Sequence, residues 1–185
     1  MLFLIGGVSR AGKTMLAARL LARHKVPWFS LDALRIGLHE GAPALGLDPA
    51  GHDLADTDRL WPIIRAMSNN LLYQGPDYCI EGASMRPGQV AELMAREPAR
   101  VRACFLGYPG LDPAAKIERV LQHAGGTNDW LSLKPIEEIE AFLVEQVKLS
   151  AKLQASACAA GIPFFDTGKD FMAGLDAAER SLMVG

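Results

Sequence analysis

The sequence predicts an α/β fold, a parallel sheet with helices packed on it, and three observations carry that prediction. The apolar run Leu2, Phe3, Leu4, Ile5 leads straight into GVSRAGKT (7–14), and a helical pattern at Leu16, Leu20 and Leu21 begins where that stretch ends. Four more short apolar runs, at 28–31, 78–82, 101–106 and 162–165, read as strands set between helical patterns and loops. The second and third runs have a carboxylate at their ends, Asp32 and Glu81, at the sheet edge where open α/β folds bind ligands.

The first element and its loop come as a unit. The spacing is Gly, four residues, Gly, Lys, Thr, which fits a phosphate cradle. Gly7 and Gly12 let the backbone curl until its N–H groups face phosphate oxygens, and the following helix adds the positive end of its dipole. The nucleotide-binding stretch is then Gly7, Ser9, Arg10, Ala11, Gly12, Lys13, Thr14 and Met15, with Lys13 reaching the β- and γ-phosphates and Thr14 holding Mg²⁺. A helix from Lys13 to His24 is ended by Pro27, and the second strand at 28–31 follows. Arg35 lies three residues after Asp32, one helical turn away on the same face. That pair reads as a general base with an acceptor-orienting Arg, or as an N-cap Asp with a surface Arg.

Residues 39–56 hold scattered Gly and Pro without a sustained period, which predicts a long loop or broken helix serving as an acceptor-side flap. No two of His39, His52, Asp53, Asp56 and Asp58 take a recognised metal-ligand spacing, so they read as solvated. Thr57 is expected to cap a helix running to Tyr73, with Leu60, Ile64, Met67 and Leu71 inward and Pro62 near the first turn; Arg59 and Arg65 could look into the crevice. Gly75 and Pro76 break it. Glu81, ending the third strand, reads as a carboxylate that orients Mg²⁺ or polarises the attacking group, or as an ordinary strand-end residue. Arg86 and Pro87 lead into a helix at 89–96, and Arg100 and Arg102 sit at the start of the fourth strand in structural positions.

A turn at 107–110 precedes a short helix opened by Asp112 and Pro113, on which Lys116, Arg119 and His123 share a face. With Gly125, Gly126, Thr127 and Asn128 closing it, the block 107–130 reads as a glycine-hinged lid whose Lys116 or Arg119 neutralises a transferring phosphoryl, or as a solvated charged helix. Pro135 and Gly161 bracket one long helix with Ile136, Ile139, Leu143, Val147 and Leu153 inward. The fifth strand leaves into Asp166, Thr167, Gly168 and Lys169, where the backbone at Gly168 could face a nucleotide base, and a last helix runs over 170–183.

Composition bounds the rest. The 185 residues, half of them apolar, suit one domain over 1–185. A net charge of −2 argues against a protein that coats nucleic acid and favours a small substrate. Cys79, Cys104 and Cys158 are odd in number and set in apolar surroundings, which reads as core thiols. The first apolar run is too short for a signal segment and no stretch has the length of a membrane span, so a cytoplasmic protein with no membrane partner is expected.

GVSRAGKT, the strand-end DALR, the strand-end EG and a basic segment before the last strand together resemble the small P-loop kinases, the group of nucleoside monophosphate, shikimate and gluconate kinases. The resemblance covers nearly all of the chain. It implies a three-layer P-loop NTPase fold with a five-stranded parallel sheet of order 2-3-1-4-5, helices on both faces, an acceptor region after strand two and a small lid after strand four. Asp32 and Arg35 resemble the base and acceptor pair of polynucleotide 5′-kinases and zeta-toxin-like kinases. EGASMRPG (81–88) is similar to a segment of 2-phosphoglycerate kinases, with Ser84 where that segment has His. The single Arg in the lid, Arg119, and the absence of an Asp-Gly with an aromatic, Pro and Arg after strand three argue against a nucleoside monophosphate acceptor.

The expected function is Mg-ATP-dependent phosphoryl transfer to a small hydroxyl- or phosphate-bearing acceptor. In that scheme Lys13, Asp32 and Arg119 are catalytic; Asp32, Arg35, Arg65, Glu81 and Arg86 meet the acceptor, and Thr14 and Glu81 meet the metal. Two alternatives stand beside it: an ATP-binding regulatory protein with little or no kinase activity, and a kinase for nucleic-acid ends or a sugar nucleotide.

Overall fold

A computed structural model describes residues 1–48, 54–122, 125 and 129–184. The elements are β1 (Leu2–Gly7), α1 (Lys13–His24), β2 (Trp28–Ser30), α2 (Leu31–Gly41), a 3₁₀ turn (Pro43–Leu45), α3 (Leu54–Gln74), β3 (Tyr78–Glu81) and α4 (Pro87–Arg96), then β4 (Val101–Gly107), α5 (Pro113–Gln122), α6 (Ile136–Ala159), β5 (Phe164–Asp166) and α7 (Phe171–Met183). The five strands pair in parallel in the order β2-β3-β1-β4-β5. This is the expected three-layer arrangement.

Strand β1 shows why its sequence is a continuous apolar run. Leu2 and Leu4 face a cluster with Leu31, Leu60, Ile64, Val90 and Leu93, whereas Phe3 and Ile5 face Leu16 and Leu20 of α1 and Leu175 and Leu182 of α7. A parallel strand covered on both faces has no wet side on which to place polar residues. A third, smaller cluster of Val120, Leu131, Ile139 and Leu143 lies between α5 and α6. The register sets Ile5, Ser30 and Glu81 level at the carboxyl edge, with Gly7 beside Leu106. The phosphate loop and both strand-end carboxylates therefore share one edge.

Several boundaries differ from expectation. Helix α2 begins at Leu31 and runs through His39 to Gly41, because Leu31, Leu34 and Leu38 recur at helical spacing and pack on the first cluster. Helix α3 begins at Leu54 rather than at Thr57, which is buried within it, and Pro62 lies inside the helix. Asp56 is not solvated. It is 3% exposed, accepting the Asp48 N–H at 2.9 Å and pairing with Arg59 at 3.0 Å, while Arg59 also donates to the Gly46 carbonyl. Arg59 thus braces residues 46–48 and does not look into the crevice. Helix α4 starts at Pro87, with Gln89 accepting the Arg86 N–H.

In α6, Ile136 is 52% exposed, and the buried face includes polar Gln146 and Ser150. Cys79 and Cys104 are buried, but Cys158 is exposed near the end of α6, contrary to the reading of all three as core thiols. Arg100 and Arg102 donate to the carbonyls of Leu72 and Leu182 and are structural, as expected. His52, Asp53, His123, Gly126, Thr127 and Asn128 lie outside the described residues. Among the described residues no helix is long and apolar enough to cross a membrane.

Candidate phosphate-binding and transfer site

The phosphate loop curls through three left-handed positions, Gly7 at φ +144°, Arg10 at +60° and Gly12 at +98°. At Gly7 a Cβ would stand 2.2 Å from the Leu106 carbonyl oxygen, so only glycine fits against β4 there. Every carbonyl from Val8 to Gly12 has a donor. Lys13 Nζ reaches Val8 at 2.8 Å, the Tyr108 hydroxyl reaches Ser9 at 2.7 Å, Lys116 Nζ reaches Arg10 at 2.9 Å and the Thr167 hydroxyl reaches Ala11 at 3.1 Å. The Leu16 N–H takes Gly12 at 2.9 Å.

Because each peptide is planar and trans, fixing a carbonyl outward turns the next residue's N–H the opposite way. The N–H groups of Val8 and Ser9 go to Leu106 O and to Gln146 Oε1. Those of Arg10 to Thr14 meet no acceptor among the described residues. A row of inward amides over the first turn of α1 makes an anion site.

Around it sit two carboxylates and one ammonium. Lys13 is 7% exposed; burial pulls its pKa down, opposed by the charges of Glu81 and Asp32. Glu81 is 2% exposed; burial pushes its pKa up, opposed by Lys13 and by hydrogen bonds from Ser30 and Thr14, whose hydroxyl is 3.3 Å from Oε1. Asp32 occupies the first turn of α2, where Ser30 takes the N-cap position. Its Oδ1 is shielded from solvent and has no hydrogen-bond partner among the described residues. Arg35, one turn on, is 5% exposed. The reading of a capping Asp with a surface Arg therefore does not hold.

The lid side differs from expectation. Lys116 does not point over the loop's concave side. Its buried ammonium sits on Arg10's carbonyl, 4.4 Å from the Tyr108 ring centroid, and burial with Arg119 and Arg10 nearby lowers its pKa to about 8. Arg119 donates to the Gly168 carbonyl at 2.8 Å, and the Gly168 N–H goes to Asp166 at 2.7 Å, so both polar groups of that peptide segment are engaged internally. The Arg10 guanidinium pairs with Asp129 at 3.1 Å and lies 5.8 Å from the Trp130 ring. Bonds from Ser132 and the Gly125 N–H hold the Asp129 carboxyl down at about 2.

Two expected acceptor residues stand apart. Arg86 caps α4 and pairs with Asp58 at 2.6 Å, and Arg65 falls on the exposed stripe of α3 with Pro62, Ala66 and Asn69. Sequence reasoning missed Tyr108, Gln146 and Thr167. The available signal was polarity in the wrong place: Gln146 and Ser150 follow Leu143 at i+3 and i+7, on a face otherwise apolar.

No family model matches the chain and no curated protein matches it. Among solved structures it is similar to a shikimate kinase from Bacteroides thetaiotaomicron, with TM-score 0.56 and 15% identity over 97% of this chain and 94% of that one. It is similar also to a gluconokinase from Sinorhizobium meliloti, with TM-score 0.54 and 15% identity over 97% and 94% of the two chains. A shikimate kinase from Aquifex aeolicus has TM-score 0.50 and 14% identity over 98% and 96%. At such identities the likeness is one of architecture, and with the sheet order and the loop it makes this chain's fold that of the small P-loop kinases.

Proposed function

We propose that the protein is a Mg-ATP-dependent kinase that phosphorylates a hydroxyl of a small acceptor. The observation that carries this reading is the orphaned, solvent-shielded Oδ1 of Asp32 at the edge that also holds Lys13, Glu81 and the amide row. An unpartnered carboxylate oxygen there is poised to accept a proton. In the transfer, the acceptor oxygen forms a bond to the γ-phosphorus as the bond to the β–γ bridging oxygen breaks. The hydroxyl proton goes to Asp32 and ADP leaves. Lys13 and the amides of 10–14 hold the β- and γ-phosphates, and Arg35 orients the acceptor. Arg119 and Arg10 add positive charge on the lid side. Positioning and charge supply most of the catalysis in such transfers.

The oxygen donors of Thr14, Glu81 and Asp32 fit a hard divalent cation. Thr14 and Glu81 would hold Mg²⁺, which when bound neutralises charge across the β- and γ-phosphates. The test is ADP release from Mg-ATP across a panel of hydroxyl, sugar-acid and nucleotide acceptors, run beside Asp32→Asn. Acceptor-stimulated release that collapses in the variant supports the reading. Acceptor-independent background that is equal in both proteins contradicts it.

A further inference from the structure

The loop carbonyls of Ser9 and Arg10 are held from outside the loop and outside α1. Their donors are Tyr108, just past β4, and Lys116, on α5. The two donors also touch each other, the Lys116 ammonium lying over the Tyr108 ring at a cation–π distance. Both side chains are buried, and among the described residues Lys116 makes no ion pair. A buried ammonium without a carboxylate is costly, and its partners here are one carbonyl and the rings of Tyr108 and, farther off at 5.9 Å, Phe171. Those carbonyls belong to the peptides whose other ends are the N–H groups of Arg10 and Ala11, the first two members of the inward row.

We propose that Lys116 and Tyr108 are positioning residues for phosphate binding, acting through the carbonyls of Arg10 and Ser9 to hold the loop's first inward amides. This rests on the phosphate-site reading above. It gives Lys116 a role different from neutralising the transferring phosphoryl: it fastens α5 to the outer wall of the loop, so that docking of α5 and phosphate affinity are one linked property. Thr167, just past β5 and bonded to Gly107 beside Tyr108, holds Ala11's carbonyl and completes the outer wall.

The test is calorimetric titration of Mg-pyrophosphate into the full chain, its Lys116→Met and Tyr108→Phe variants and the double variant, with melting midpoints measured in parallel. Met keeps most of the apolar stem and removes the donor; Phe removes one oxygen. Each single variant is expected to bind about tenfold more weakly, the range for losing one buried or charge-assisted hydrogen bond. The double variant is expected to lose less than the product, because the two side chains share one contact. A merely structural role would lower the midpoints and leave the affinity of the folded protein unchanged, and folded variants binding within twofold of the parent overturn the proposal. If Lys116→Met does not fold, Tyr108→Phe carries the same test with the same outcomes. A parent chain that does not bind Mg-pyrophosphate overturns the phosphate-site reading, and this proposal with it.

Discussion

Gly7→Ala is the most informative single change to the fold beneath the site. Gly7 pairs with Leu106 between two central strands, at φ +144°, and the added methyl carbon would stand 2.2 Å from a backbone oxygen. Carbon contacts want about 3.5 Å, so β1 and β4 must part by more than about 1 Å, and no flexible side chain is there to yield. Backbone strain at such an angle costs about 1–3 kcal/mol and overpacking about 1–3 more, giving about 2–6 kcal/mol in total. Urea unfolding followed by circular dichroism measures it. The control is Gly37→Ala inside α2, where a Cβ meets nothing within 4 Å and φ is not positive; removing a helix glycine there should stabilise by about 0.5–1 kcal/mol. A Gly7→Ala protein within about 0.5 kcal/mol of the parent, below the overpacking range, would refute the close approach on which the loop's shape depends.

Three further outcomes follow from burial and charge. A thiol reagent should modify Cys158 alone in the native protein and all three cysteines in denaturant; fast native labelling of Cys79 or Cys104 would contradict the packing of β3 and β4. Stability should fall above about pH 10.5, since burial pushes the Cys79 thiol and the Tyr108 phenol up, and the Cys104 thiol to about 12. The unfolded chain loses those protons first, so their contribution is present below the unfolded pKa and is lost as pH rises toward the folded one, at about 1.4 kcal/mol per pH unit for each group. Lys116 and Lys13, whose pKa values burial lowers, act in the opposite sense up to the unfolded lysine value of about 10.4, so the fall is read above it; a urea midpoint that rises from about pH 10.5 to 11.5 would overturn this. Phe105→Ala, at a ring fully buried in the first cluster, should cost about 3–5 kcal/mol by the same unfolding assay, and a loss under about 1 kcal/mol would contradict the packing there.

Much of the architecture could be read ahead of the structure because it rests on local pattern. The continuous apolar runs marked doubly covered strands, and GVSRAGKT fixed the strand-loop-helix junction to the residue, with α1 beginning at Lys13. The start of α2 at Asp32 and Arg35 was legible, while its run past His39 was obscured by Gly41 and the scattered Gly and Pro that follow. The start of α3 was obscured by Pro62, which is expected in a first turn and lies deeper in the helix here. At the site, the nearness of Asp32, Glu81 and Lys13 was legible because strand ends in a parallel sheet converge. What holds the loop was not: Tyr108, Lys116, Gln146 and Thr167 come from elements up to about 150 residues away in sequence, and no spacing rule joins them.

The central claim is that residues 7–14 bind nucleotide phosphates for transfer. Calorimetric titration of Mg-ATP into the parent chain and into Lys13→Ala tests it most directly, with circular dichroism confirming that the variant is folded. Saturable one-site binding by the parent is expected, with a loss of at least about tenfold in the variant, whose missing ammonium is a buried cation acted on by the charges of Glu81 and Asp32. Equal affinity in the two folded proteins, or no binding by the parent, would contradict it.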